Sequence, residues 1–213
     1  MKNLFQRYTP LQIVIHIYGW SALVLLIIDF FTGNLTANPI QAMEQRTGRH
    51  AITLLVLSLA VYWVGDVLDG AWARWYDVET RFGGVLDVVC DRACALVFYV
   101  GVAWHLPGLM VPVGVYLLEF AVVDLILSLA FVSWPLISPN YFYLVDRTVW
   151  RWNWSKPAKA VNSAAFAVLL LGTQSVWLCT AVAVALLALK IGSLVRLVRL
   201  GVPVPPQVPT PPA

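Results

Sequence analysis

Charged side chains are scarce in this sequence. Asp, Glu, Lys and Arg make up 12% of the 213 residues, whereas apolar residues make up 60% and the mean hydropathy is +0.77. A soluble domain usually carries about 25% charged residues, because polar groups have to cover its surface. This shortage argues against a soluble globule and favours a polytopic membrane protein.

Cysteine and net charge are low as well, and each excludes a class of protein. Of the three cysteines, Cys90 and Cys94 are four residues apart in a helical stretch. That spacing disfavours a disulfide, so we expect small buried side chains there. The net charge of +3 is too small to indicate a nucleic-acid partner. The first apolar run is too long for a signal peptide and lacks a clear cleavage site, so we expect no cleaved signal.

Six apolar stretches predict an all-α fold, a polytopic membrane protein with six transmembrane helices, because backbone groups in lipid must be satisfied within helices. The predicted spans are residues 11–31, 50–67, 85–104, 109–131, 158–171 and 176–195. Lys and Arg gather on one side of these spans. This bias predicts that both termini, the turn after the second span and the loop before the fifth span face the cytosol.

Four carboxylates lie at the inner ends of the second and third spans, where ionised side chains are costly. Asp66 and Asp69 belong to one helix, and Asp87 and Asp91 belong to the next. At about 100° per residue each pair lies on one stripe, and two antiparallel helices can turn these stripes toward each other. Two nearby arginines cannot balance four acids. We therefore expect divalent cations, two ions of Mg²⁺ or Mn²⁺.

Small residues accompany the acids in the same stripes. Gly70, Ala73 and Gly83 would leave room for a bulky ligand near the backbone. Arg74 at the rim offers a fork that suits phosphate oxygens. Displacing a nucleotide from a pyrophosphate needs neutralised phosphates and a proton acceptor near the incoming hydroxyl, and this group of residues could supply both.

The run from Asp66 to Asp91 matches the pattern D-x2-D-G-x2-A-R-x8-G-x3-D-x3-D at every fixed position, and it resembles the signature of the CDP-alcohol phosphotransferase (CDP-alcohol phosphatidyltransferase) family. The resemblance implies a phospholipid-synthesis enzyme in a bacterial cell membrane, with its active site facing the cytosol. Such an enzyme displaces CMP from CDP-diacylglycerol with a small alcohol; whether it forms a homodimer is left open. The resemblance also implies a role for each residue: metal binding by Asp66, Asp69, Asp87 and Asp91, base catalysis by Asp91, and CDP binding by Asp69, Gly70, Ala73, Arg74 and Gly83.

The acceptor is predicted from weaker signals. The residues 80–83 and Arg92 resemble phosphatidylinositol and phosphatidylinositol-phosphate synthases, which implies inositol phosphate or inositol; glycerol 3-phosphate, as used by phosphatidylglycerophosphate synthases, is the alternative. Four cations on the same face could bind the phosphate of an acceptor, although membrane anchoring explains them too: Arg147, Arg151, Lys156 and Lys159. Glu119 and Asp124 in the fourth span could serve function or helix contacts, and both readings stay open.

One segment departs from the family pattern. Residues 8–12 lack the stretch with which family members often begin before the first span. Residues 11–60 instead resemble haem-binding membrane subunits of the ferric-reductase type, notably at 38–41 and 46–49. We therefore divide the chain into an atypical N-terminal segment (1–60), a transferase-like core (61–200) and a Pro-rich tail (201–213) for which we expect disorder. A haem-binding electron-transfer subunit is the alternative from another class, although the three histidines are too scattered for a good axial pair.

Overall fold

A computed structural model describes residues 41–201 and 203, with side chains from Ile52 onward except that of Asp69. All regular structure in this part of the chain is helical, which confirms the predicted fold class for these residues. The first predicted span lies outside them. Eight α-helices follow one another: α1 (Gln41–Trp75), α2 (Arg81–His105), α3 (Met110–Leu117), α4 (Asp124–Leu129), α5 (Arg147–Asn153), α6 (Lys156–Lys159), α7 (Ala165–Thr173) and α8 (Val176–Leu200).

Two π-helical turns interrupt the α-helical ladder. Leu118–Val123 joins α3 to α4, and Ala160–Ala164 joins α6 to α7. A π-turn contains one residue more than an α-turn, and such turns are frequent at functional sites. In the second of them the carbonyl of Asn162 accepts a hydrogen bond of 3.0 Å from the Tyr116 hydroxyl. The two interrupted helices are thereby linked to each other.

Among the described residues, three helical stretches are long and apolar enough to cross a bilayer: Ile52–Trp75, Pro107–Ser133 and Val176–Leu200. They correspond to the second, fourth and sixth predicted spans. The third predicted span corresponds to α2, whose 25 residues include several charged side chains. The total of six spans and the cytosolic position of both termini therefore stay predictions.

The segment between the fourth and fifth predicted spans is folded rather than an open loop. It contains a 3₁₀ helix at Pro139–Leu144 and the short helix α5. Asp146 caps α5, because its Oδ1 accepts hydrogen bonds of 2.8 Å from the backbone N–H groups of Thr148 and Val149. Its Oδ2 accepts a 2.9 Å bond from Arg196 Nε on α8. The segment is thus attached to the last helix.

Asp146 also stays ionised at neutral pH. Burial raises the pKa of this carboxyl, but the Val149 N–H, the Arg196 guanidinium and the Thr148 N–H together lower the pKa below its usual value of 3.8. A carboxyl whose pKa is depressed by folding stabilises the fold above its unfolded pKa. That contribution is lost as the pH falls below about 4 toward the folded pKa.

Within the described part of the chain, the buried apolar side chains form two clusters. In the first, the rings of Tyr116 and Phe166 stack with centroids 4.0 Å apart. In the second, Phe142 and Trp154 stack with centroids 4.4 Å apart. Side chains of both clusters, Tyr116 and Trp154 among them, line the large cavity described below. The aromatic packing therefore fixes the walls of that cavity.

The start of α2 is pressed against the folded segment that follows α4. Arg81 donates from Nε to the carbonyl of Leu136 at 2.8 Å and from its terminal nitrogen to the carbonyl of Trp134 at 2.5 Å. A Cβ added to Gly84 would lie 2.7 Å from the carbonyl oxygen of Ile137. Only a glycine permits so close an approach of two backbones.

We expect Gly84→Ala to destabilise the protein by about 1–3 kcal/mol, the usual cost of inserting a methyl group into a packed site. Gly192→Ala on α8 is the matched control, because nothing lies within 4 Å of its added Cβ and alanine is the better helix former. Thermal denaturation of both purified variants in detergent measures the difference. An unchanged midpoint for Gly84→Ala would contradict the close approach.

Candidate functional site

Three carboxylates meet where α1 and α2 pack side by side. Oxygen atoms of Asp66, Asp87 and Asp91 all lie within 4.8 Å of one another. A Mg²⁺ ion with ligands at about 2.1 Å holds its oxygens roughly 3–4 Å apart, so these hard donors fit a divalent cation with small adjustments. The structure thus brings together three of the four predicted metal ligands. Asp69 lies three residues after Asp66 on α1, and its side chain is not among those described.

The capped start of α2 positions two of these acids. Thr80 precedes the helix, and its Oγ1 accepts a 3.0 Å hydrogen bond from the backbone N–H of Gly83. Asp77, with φ of 53°, lies in the turn between α1 and α2. This short connection makes the two helices antiparallel neighbours and brings Asp66 of α1 close to Asp87 and Asp91 of α2.

Asp91 is held by two neighbours in addition to the acidic cluster. The hydroxyl of Tyr62 donates a hydrogen bond to its Oδ1. Arg92 donates to its Oδ2 at 3.3 Å, and the same guanidinium lies 4.6 Å from the ring centre of Phe120. The carboxylate of Asp91 is therefore oriented before any ligand binds.

A buried ion triad lies beside Asp91. Asp124 on α4 pairs through Oδ2 with Arg92 and through Oδ1 with Lys190 on α8 at 2.7 Å. The side chains of Asp124 and Lys190 are 4% and 3% exposed. Ser128 hydrogen-bonds to both Arg92 and Asp124. Charges buried this deeply need such partners, and the triad connects α2, α4 and α8.

The fully buried carboxylate of Glu119 lies in the π-turn before α4. Neither of its oxygens has a hydrogen-bond partner among the described residues. Of the two acids in the fourth span, Asp124 therefore makes helix contacts, and the Glu119 carboxylate forms no hydrogen bond within the described part of the chain.

One cavity of about 430 Å³ contains both the acidic cluster and the ion triad. Its volume suits a small-molecule ligand. Its polar walls come from both groups and from the region around α5 and α6: Asp66, Asp87, Asp91, Arg92, Asp124, Ser128, Asn140, Asn153, Lys159, Asn162, Ser163 and Lys190. Its apolar walls include Leu59, Tyr99, Tyr116 and Phe120. This lining suits a ligand that is polar over most of its surface and has one apolar part.

Of the other predicted site residues whose side chains are described, Lys159 alone lines the cavity. Arg147, Arg151, Lys156 and Lys159 are all exposed. Arg74 is exposed, and its guanidinium lies over Gly70, since an added Cβ there would be 3.2 Å from a guanidinium nitrogen. Three further predicted positions are not among the lining residues either: Gly70, Ala73 and Gly83.

Several polar residues of the cavity do not follow from the sequence analysis. Lys190 had a detectable signal, because a lone cation within an apolar span calls for a partner. Tyr62 had a weaker one, since it precedes Asp66 by four residues and so shares its helix face. Asn153 and Asn162 carry no signal that distinguishes them from ordinary polar residues. Their place in the cavity depends on the tertiary fold.

Comparison with known proteins identifies the family. The model of the CDP-alcohol phosphatidyltransferase family matches residues 13–193. The chain belongs to this family. Members of the family are transferases of phospholipid synthesis that use CDP-alcohol donors and alcohol acceptors and generally a divalent metal. The predicted family is thereby confirmed.

More specific comparisons are short or absent. The chain is 49% identical over 39 residues to a phosphatidylinositol phosphate synthase of Mycobacteroides abscessus. This match covers 18% of the chain and 18% of that relative. No solved structure matches the chain.

The family match also bears on the haem-like segment. It begins at residue 13 and therefore runs over most of the segment at 11–60 that resembles haem subunits. His16 lies outside the described residues, and the side chain of His50 is not described. His105 ends α2, 18 residues after Asp87, which is about 27 Å at the rise of an α-helix. The acidic residues that line the cavity favour a transferase site over a haem site.

We expect Asp87→Asn to lower transferase activity by about 100-fold or more, because removing one ligand of a phosphate-binding metal site costs several kcal/mol in the transition state. Binding of Mn²⁺, followed by electron paramagnetic resonance, should weaken in parallel. EDTA should abolish the activity of the wild type, and added Mg²⁺ should restore that activity.

Asp77→Asn is the matched control, since this acid lies in the turn between the same helices and outside the cluster. It should retain normal activity and Mn²⁺ binding. Near-normal turnover of Asp87→Asn would contradict the metal site.

Proposed function

We propose that this transferase moves the phosphatidyl group of CDP-diacylglycerol onto an inositol-type alcohol, inositol phosphate or inositol, and releases CMP. The observation that carries the proposal is that the acidic cluster and a phosphate-binding candidate, Lys159, line one cavity. The signature around Arg81 and Arg92 supports an inositol-type acceptor. The short similarity to a protein named phosphatidylinositol phosphate synthase points in the same direction.

The reaction is a displacement at phosphorus. The acceptor's hydroxyl oxygen attacks the phosphorus that bears diacylglycerol. The bond from that phosphorus to the CMP oxygen breaks, and CMP leaves with the electron pair. Asp91 Oδ2 accepts the hydroxyl proton, while Tyr62 holds the other carboxylate oxygen by a hydrogen bond.

The metal centre of this proposal has four carboxylate ligands. Asp66, Asp69, Asp87 and Asp91 would hold two ions of Mg²⁺ or Mn²⁺. When bound, these ions neutralise the charge of the pyrophosphate. Asp91 thus serves both the metal and the acceptor.

The CDP moiety binds at the ends of α1 and α2 that carry the rest of the signature. Asp69, Gly70, Ala73, Arg74 and Gly83 are the residues proposed for it. The exposed guanidinium of Arg74 can swing away from Gly70 and form paired hydrogen bonds with phosphate oxygens. An amphipathic donor suits this position, because its nucleotide stays in water while its lipid chains stay in the bilayer.

Lys159 takes the principal role in binding an acceptor's phosphate. It lines the cavity together with Asp66, Asp87 and Asp91. Three neighbouring cations, Arg147, Arg151 and Lys156, are exposed and raise the positive potential at the entrance. An anionic acceptor is drawn toward the cavity by this charge.

The proposed orientation in a bacterial cell membrane has six spans, both termini in the cytosol and the active site facing the cytosol. Exposed arginines support it, since along the chain they fall in or next to the segments that are predicted to face the cytosol: Arg74, Arg81, Arg147, Arg151, Arg196 and Arg199. Positive residues favour the cytosolic side. A cytosolic site also has direct access to water-soluble acceptors.

We expect membranes that contain the transferase and CDP-diacylglycerol to release CMP with inositol phosphate or inositol. Lys159→Ala should raise the KM of the acceptor by about tenfold or more, because a charge-assisted hydrogen bond to phosphate contributes roughly 1.5–3 kcal/mol. The KM of CDP-diacylglycerol should change less. Arg199→Ala, an exposed cation in the last turn of α8, is the control.

Two results would contradict this acceptor. CMP release with glycerol 3-phosphate but with neither inositol nor inositol phosphate would show that the alternative acceptor is the correct one. An equal effect of Lys159→Ala on both KM values would mean that Lys159 binds the donor or supports the fold.

The orientation is tested by labelling single cysteines in intact cells, after the three native cysteines are changed to alanine. Asp77→Cys in the exposed turn should react only with reagents that enter the cytosol. Gln45→Cys, at the opposite end of α1, should react with impermeant reagents outside. The reversed pattern would place the active site on the outer side and overturn the proposed orientation.

A further inference from the structure

Five polar residues line the cavity beside the acidic cluster: Arg92, Asp124, Ser128, Asn153 and Lys190. The first three and Lys190 contact one another, and Asn153 is hydrogen-bonded to Ser193, three residues after Lys190 on α8; we call this set the inner arm. Arg92 lies five residues after Asp87 on α2, about 7 Å farther along the helix. Asp91 stands between the acidic cluster and this arm, because it belongs to the cluster and also contacts Arg92. A ligand whose reacting atom reaches Asp91 can therefore extend into the inner arm.

Asn153 supplies an unused hydrogen-bond acceptor there. The residue is 3% exposed, and its Nδ2 donates to the Val149 carbonyl at 2.8 Å and to Ser193 Oγ at 2.9 Å. Its buried Oδ1 has no hydrogen-bond partner among the described residues. A buried acceptor without a partner is costly, so this oxygen favours a ligand that can donate a hydrogen.

Two cations supply unused donors in the same arm. Lys190 has three N–H bonds, and among the described residues it forms an ion pair with Asp124. Arg92 Nε is buried and has no hydrogen-bond partner in the described part of the chain. The arm thus offers acceptors and donors side by side. Hydroxyl groups use both, since each can donate one hydrogen bond and accept others.

The charges of the inner arm exclude a strong phosphate site. Arg92 and Lys190 are positive, and Asp124 and Asp91, which pair with them, are negative. With its cations compensated in this way, the arm has little net charge to attract a dianion. Lys159 stands apart from these ion pairs and lines the same cavity. Neutral hydroxyl groups therefore match the arm better than a phosphate does.

We propose that the inner arm binds the hydroxyl groups of the acceptor, with Asn153 Oδ1 accepting from one hydroxyl and Lys190 Nζ donating to another. The inference rests on the proposed function, because it assumes that Asp91 faces the reacting hydroxyl. It makes Asn153 and Lys190 residues that determine acceptor specificity. The acceptor's phosphate, where there is one, lies toward Lys159.

The test compares Asn153→Ala with Ser193→Ala in the CMP-release assay. Three probes are used as acceptors: inositol, inositol phosphate and glycerol 3-phosphate. Asn153→Ala should raise the KM of whichever acceptor the wild type uses by roughly threefold to tenfold, the value of one neutral hydrogen bond. The KM of CDP-diacylglycerol should stay within about twofold of the wild-type value. A twofold change is well below the tenfold change that corresponds to about 1.4 kcal/mol.

Ser193→Ala separates ligand binding from support of the fold. It removes the partner of Asn153 Nδ2 and leaves Oδ1 in place, and Ser193 does not line the cavity. Its acceptor KM should equal that of the wild type. Equal shifts in both variants, a shift in the donor KM of the same size, or no shift in Asn153→Ala would each overturn the inference.

Asn153→Ser covers the case in which the alanine variant does not fold. A serine hydroxyl can donate to the carbonyl four residues earlier, which keeps the local bond to Val149 while it withdraws the amide oxygen. It should show the same rise in acceptor KM. Activity with glycerol 3-phosphate alone would refute the proposed acceptor but not the inner arm, since that probe also carries free hydroxyl groups and the comparison of variants still applies.

Discussion

The carboxylate of Asp124 is the contact on which the rest of the site depends. It lies between Arg92 and Lys190, and all three belong to different helices. Removing one partner from a buried ion pair typically costs about 3–5 kcal/mol, because the remaining charge is left uncompensated. Arg92 in turn orients Asp91, which faces the acidic cluster. The ion pairs that balance the buried charges therefore also orient the carboxylate of Asp91.

The cavity is polarised along its length by this arrangement. At one end Asp66, Asp87 and Asp91 concentrate negative charge; at the other, cations and anions compensate each other. A reaction that joins two substrates benefits from such a division, because each end attracts a different chemical group. The aromatic walls, with Tyr116 stacked on Phe166, keep both ends in a fixed relation.

The acidic cluster could be predicted from spacing, since Asp87 and Asp91 are one helical turn apart and Asp66 lies on the preceding helix. The partners of Asp124 could not, because its face on the fourth span depends on a π-turn that regular periodicity does not anticipate. The segment at residues 133–157 was predicted only as the loop before the fifth span. Its order comes instead from capping by Asp146 and from the distant Arg196.

The π-turn at Leu118–Val123 has a consequence for how this chain is compared with its relatives. One residue corresponds to about 100° of rotation and 1.5 Å of rise, so a helix that lacked the extra residue would carry Asp124 away from Arg92 and Lys190. A relative with a regular fourth span would then align with a one-residue gap inside a membrane helix rather than in a loop. Evolution can thus gain or lose this ion triad by a single-codon insertion or deletion, without any change in the acids of the signature.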